Sequence, residues 1–86
     1  MTKLIYFAWV RERIGVSDEV VTLPHNIKTG DDLMAWLKTR GENYEYALEN
    51  SDAIRIAVNQ EHIHHKDALG DISAAEIALF PPMTGG

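Results

Sequence analysis

The chain has 86 residues, 45% of them hydrophobic, with a formal net charge of −5 and no cysteine. This length supports one small core, burying a little over ~60% of the unfolded surface, and leaves little room for an enclosed active site with its own lid. The acidic balance argues against nucleic-acid or anionic-membrane partners, and the missing cysteine excludes disulfides, thiolate metal sites and persulfide chemistry on a side chain.

Lys3–Val10 is rich in β-branched and aromatic residues and reads as a strand. Its apolar run falls well short of the ~20 residues a membrane helix needs. Arg11-Glu12-Arg13 follows where an export signal would place small residues, so a cytoplasmic location is expected. Gly15–Asp18 is turn-like, and Glu19–Leu23 gives a second strand that Pro24 ends. The two form a hairpin with a wide connection that has room for one helical turn through Val10–Ile14.

Thr29 can cap a helix with Asp31 and Asp32 in its first turn, Asp32 completing a capping-box spacing. Leu33, Trp36 and Leu37 then form one buried stripe, with Gly41 expected to stop the helix. A shorter helical pattern places Tyr44, Ala47 and Leu48 on one face. Ile54–Val58 and Glu76–Phe80 read as strands, with a short edge strand at His62–His64 between them. The order predicts an α+β roll: a mixed sheet with helices on one face.

Strand alternation makes a further prediction. Ile54, Ile56 and Val58 face the helices, as do Ile77 and Leu79, which leaves Arg55, Ala57, Ala78 and Phe80 outside. In the first strand Leu4, Tyr6 and Ala8 point inward, leaving Ile5, Phe7 and Trp9 on the far side. The chain has helices enough for one face only. The uncovered apolar face is therefore a candidate protein-binding surface, unless a long loop covers it.

After Phe80 the composition changes. Pro81 and Pro82 remove backbone donors and favour an extended path, followed by Met83, the small Thr84, and Gly85 and Gly86 without side chains. Such a terminus can enter a narrow channel and present its carboxylate in another protein's site. Residues 1–80 are thus expected to form the domain and 81–86 its tail.

The ending Leu79-Phe80-Pro81-Pro82-Met83-Thr84-Gly85-Gly86 closely resembles that of the small, sulfur-carrier subunits of molybdopterin synthase, a ubiquitin-like β-grasp family. Phe7-Ala8-x-Val10-Arg11-Glu12 and Ala57-Val58-Asn59-Gln60 agree with it, as do length and element order. One departure lies before the last strand: the family's Asp-Gly-Asp-Glu-type turn is replaced by Asp71-Ile72-Ser73-Ala74-Ala75-Glu76, without the glycine.

The resemblance implies a β-grasp fold in which the first and last strands pair, bringing Phe7 beside Phe80. It implies that a ubiquitin-activating-type enzyme consumes ATP to adenylate the Gly86 carboxylate, and that a separate donor converts the adenylate to a thiocarboxylate. The tail would then deliver sulfur to cyclic pyranopterin monophosphate inside the large synthase subunit, within a heterotetramer. Catalytic side chains would belong to that partner, with no cofactor bound here. His62 falls at the family's large-subunit contact. For Arg11 two readings stand, a solvated charge and a docking residue for the activating enzyme.

His62, His64 and His65, near Glu61 and Asp67, lack the spacing of a metal site and read as loop histidines. Related carriers for thiazole, cysteine or tRNA thiolation share the Gly-Gly chemistry, as does a ubiquitin-like modifier that forms isopeptides.

Overall fold

The alternation of the first apolar segment sets the sheet. The computed structural model describes residues 1–73 and 75–82. Strand β1, Thr2–Tyr6, buries Thr2, Leu4 and Tyr6 on one face and leaves Lys3 exposed and Ile5 half-buried on the other. The sequence extends this strand to Val10, but it stops at Tyr6. The chain turns at Ala8, whose φ is +52°, into helix α1, Ala8–Ile14. Helical spacing lets Val10 and Ile14 bury together against the core, while Trp9 packs half-buried beside them. Ala8 is exposed instead of inward, and Trp9 is not on the far face. Gly15, at φ +100°, closes the helix in the left-handed region that glycine tolerates.

Strand β2, Asp18–Val21, runs antiparallel to β1 with Thr2 opposite Val21 and Leu4 opposite Glu19. Helix α2, Gly30–Lys38, has the predicted capping box. Thr29 accepts from the Asp32 backbone N–H at 3.2 Å, and the Asp32 carboxylate accepts from the Thr29 N–H at 3.2 Å. Backbone bonds from Lys28 and Thr29 hold the Asp32 carboxyl below its ordinary range. The helix ends at Lys38, and Gly41 instead caps the start of α3, Glu42–Ala47. Ala47 and Leu48 are buried and Tyr44 half-buried, as the pattern predicts. Trp36 is half-buried against the core.

Strands β3, Arg55–Val58, and β4, Glu61–Ile63, form a hairpin. Both turn residues, Asn59 at φ +50° and Gln60 at φ +71°, adopt the left-handed backbone that a two-residue primed turn requires. Strand β5, Glu76–Phe80, lies between β1, to which it is parallel, and β3, to which it is antiparallel. The sheet order is β2-β1-β5-β3-β4.

Ahead of β5, Gly70 supplies a φ of +73°, and the Asp71 carboxylate accepts from the Ser73 N–H and hydroxyl at 3.1 and 2.8 Å. This side-chain turn stands in place of the family's glycine turn. The Ser73 bonds also lower the Asp71 carboxyl from its ordinary range.

Leu4, Tyr6, Ile56, Ile77 and Leu79 from the sheet share one core with Val10, Leu33, Leu37 and Leu48. The helices thus pack on one face of a mixed sheet, the β-grasp arrangement. Among the described residues no helix is long and apolar enough to cross a membrane.

Candidate functional site

Because β5 occupies the middle of the sheet, the tail leaves from a central strand instead of an edge. The Phe7 N–H donates to the Leu79 carbonyl at 3.1 Å, extending the β1–β5 ladder by one residue and setting Phe7 beside the end of β5. Phe7 is 45% exposed, and Phe80, Pro81 and Pro82 are half-buried. The His62 ring stands edge-on to Phe80, with centroids 5.2 Å apart. Three of the predicted interface residues, Phe7, Phe80 and His62, therefore gather where the sheet gives way to the tail.

The register builds the rest of this outer face. Ile5 lies opposite Ala78, Ala78 opposite Ala57, and Ala57 opposite His62. Ala57 faces outward as alternation requires, yet it is buried, because its small side chain sits between Ala78 and His62. Arg55 lies opposite Phe80 and is exposed. Among the described residues Ile5, Ala78 and Phe80 stay half-exposed on this face, so it is not sealed by a loop.

Arg11 lies one turn into α1, its N–H donating to the Phe7 carbonyl at 3.3 Å, and its side chain is exposed. Arg13 is committed to the fold. Its guanidinium lies 4.7 Å from the Trp9 ring centroid, 4.4 Å from that of Tyr46 and 3.8 Å from Glu49.

A cavity of about 340 Å³ opens at the root of the tail, with Arg55, His62, His64, Phe80 and Pro82 in its walls. The sequence places Arg55 outside but gives it no role. The available signal is an arginine at an outward position of a strand whose outward neighbours are apolar. Met83, Thr84, Gly85 and Gly86, where the sequence reading expects the working carboxylate, lie outside the described residues.

Two polar clusters sit elsewhere. On the covered face the Glu19 carboxylate accepts from the Tyr6 and Tyr44 hydroxyls at 2.6 and 2.8 Å and pairs with Arg40 at 2.9 Å. Desolvation alone pushes the Glu19 carboxyl up. The bonds from Tyr6, Tyr44 and Arg40 outweigh it and hold the group below its ordinary range. Burial first, then the carboxylate, drives the Tyr6 and Tyr44 hydroxyls upward. With Arg40 over Trp36 and Tyr44 at 5.3 and 5.0 Å, the cluster ties β2 to the helices. His65 turns inward, Nε2 lying 2.6 Å from the Ile54 carbonyl and Nδ1 3.5 Å from Asp31. Among the described residues no three histidine or acidic side chains converge on a common point.

The model of the ThiS family matches residues 4–86. The molybdopterin synthase sulfur carrier subunit of Haemophilus influenzae is 34% identical over the whole of both chains. A solved structure from Pyrococcus furiosus, described as putative molybdopterin converting factor subunit 1, superposes with a TM-score of 0.72 at 28% identity. It covers 95% of this chain and 97% of that one. The Haloferax volcanii small archaeal modifier protein 1 superposes with a TM-score of 0.67 at 25% identity, covering 95% of this chain and 97% of its own.

Proposed function

The chain belongs to the ThiS family, and we propose that it is the sulfur carrier subunit of a molybdopterin synthase, with the Gly86 carboxylate as its working group. The observation that carries this reading is the exit of the tail. The Pro81-Pro82 segment leaves the central strand of an apolar, helix-free sheet face, so a protein docked on that face is positioned to take up the residues beyond Pro82.

The chemistry is dictated by the group. A carboxylate is a poor electrophile, so one of its oxygens first attacks the α-phosphorus of ATP in an adenylating enzyme and pyrophosphate leaves. A sulfur nucleophile at the hydrosulfide level then attacks the acyl carbon, AMP leaves, and a thiocarboxylate results. With no cysteine in the chain, the sulfur has no side chain to ride on. The thiocarboxylate is delivered into the large synthase subunit, which supplies the acid–base groups and holds cyclic pyranopterin monophosphate. The assembly is a cytoplasmic heterotetramer.

Incubation with the adenylating enzyme, ATP and a sulfur source, read by intact mass, tests the reading. Exchange of one oxygen for sulfur supports it, as does co-purification of a large synthase subunit with an N-terminally tagged chain. The likeness to a small archaeal modifier protein favours one second reading, in which the activated Gly86 forms an isopeptide with a target lysine. Conjugates in cell extract without any thiocarboxylate would select it.

A further inference from the structure

The geometry points to the cavity at the root of the tail as a receptor for a carboxylate side chain of the protein that takes up the tail, held by Arg55 with His62 and His64 around it. The inference rests on the proposed carrier role and adds the chemistry of the partner's contact.

The chain carries 13 acidic residues against 8 lysines and arginines, yet among the described residues no acidic side chain lines this cavity. Its polar walls come from Arg55, His62 and His64, and its apolar walls from Phe80, Pro82 and neighbouring isoleucines. Arg40 is engaged on Glu19, and Arg13 on Glu49 and two rings, while exposed Arg11 on α1 is not in the cavity's walls. Arg55 differs. Among the described residues no ion pair or hydrogen bond engages its guanidinium, although it lies opposite Phe80 at the tail end of the sheet.

Charge pairing on the outer face also differs along the strands. At the far end Lys3 sits directly opposite Glu76, and Asp18, opposite Ile5 on β2, is separated from Arg55 by β1 and β5. At the tail end Arg55 has no anion across the ladder. A guanidinium presents a planar fork matched to a carboxylate, and apolar walls that exclude water on docking strengthen the pair. Since Pro82 both lines the cavity and leads into the tail, whatever draws in the tail also covers the cavity. A single acidic side chain reaching in would fix the register of docking.

The test is calorimetric titration of the full chain with the large synthase subunit at low and physiological salt, for wild type, Arg55→Gln, Arg55→Glu and Lys28→Glu. Arg55→Glu should weaken binding by about 30-fold or more, and Arg55→Gln by about 10-fold with a shallower salt dependence than wild type. Lys28→Glu makes the same charge change beside the N-terminus and should stay within about twofold. Circular dichroism checks folding, and the milder Arg55→Gln decides the matter if Arg55→Glu unfolds. Restoration of Arg55→Glu binding by an Asp→Lys or Glu→Lys change on the partner would identify the carboxylate. Wild-type binding with both Arg55 variants within twofold overturns this inference alone. Failure of wild type to bind overturns the carrier reading and this inference with it.

Discussion

The hydroxyl of buried Tyr6 donates a 2.6 Å hydrogen bond to Glu19, joining β1 to β2 on the covered face of the sheet. The same carboxylate takes a bond from Tyr44 and the charge of Arg40, so one side chain links these two strands to the helices. Its pKa is lowered in the folded state. The stabilisation it gives is therefore complete above the ordinary carboxylate pKa, about 4.3, and is lost as pH falls through the folded value. Glu19→Gln should cost about 1.5–3 kcal/mol at pH 7, the range for a hydrogen bond to a charged group. Urea unfolding at pH 7 and near pH 3 checks this. The gap between wild type and variant should narrow in acid, and an unchanged gap would remove the carboxylate's charge from the explanation.

Gly30 opens α2 at a site where helix propensity misleads. Alanine is the better helix former by about 1 kcal/mol. Here, however, a Cβ would lie 2.7 Å from Ile56 Cδ1 and 3.0 Å from both the Cα and the carbonyl oxygen of His65. The Asp31 N–H bonds that same carbonyl at 2.8 Å, which pins the loop in place. Gly30→Ala should destabilise the domain by about 1–3 kcal/mol, as overpacking does. A melting temperature equal to or above that of wild type would mean the His65 loop yields freely.

These two sites mark the limit of what the sequence discloses. The capping box, the Leu33–Leu37 stripe and the β3 and β5 alternation are legible because each lies in a run whose period is local. The first strand reads too long because Phe7, Ala8, Trp9 and Val10 suit either period. What decides is the turn at Ala8 and the core available to Val10 and Ile14. The Glu19 cluster is illegible because Tyr6, Arg40 and Tyr44 come together only through the fold. The one local hint is parity: Glu19 shares a face with Val21. For the site, strand alternation places Phe7 and Phe80 on the outer face, and the resemblance sets them side by side and adds His62. The cavity beside them, with Arg55, needs the cross-strand register.

Phe80 should behave as an anchor of the outer face. It is half-buried, packs edge-on with His62 and neighbours Phe7 across the β1–β5 ladder, while its strand neighbours Leu79 and Ile77 fill the core. Aromatic anchors in such patches commonly cost ~2 kcal/mol or more of binding when truncated. Phe80→Ala should weaken association with the large synthase subunit by that amount and leave the isolated domain folded. Calorimetric titration paired with a thermal melt checks both. Unchanged affinity would mean that the partner docks elsewhere.

The reactive end gives the sharpest test. If adenylation and sulfur transfer occur at the Gly86 carboxylate, the reach of the tail from Phe80 sets where that carboxylate arrives. Misplacing a reacting centre by about an ångström can cost ~100-fold in rate even when binding survives. Removing one residue shortens an extended chain by up to ~3.3–3.6 Å, well beyond that tolerance. Deleting Gly86 or appending residues after it should therefore abolish thiocarboxylate formation. Neither change removes a core residue, since the core runs from Leu4 to Leu79, so the melting temperature should match wild type. The outer face is also intact in both variants, and association with the large subunit should persist. Intact mass after incubation with the adenylating enzyme, ATP and a sulfur source reads the outcome. Sulfuration of both the shortened and the extended chain at the wild-type rate would show that the position of the Gly86 carboxylate is not what the reaction requires and would overturn the proposed function.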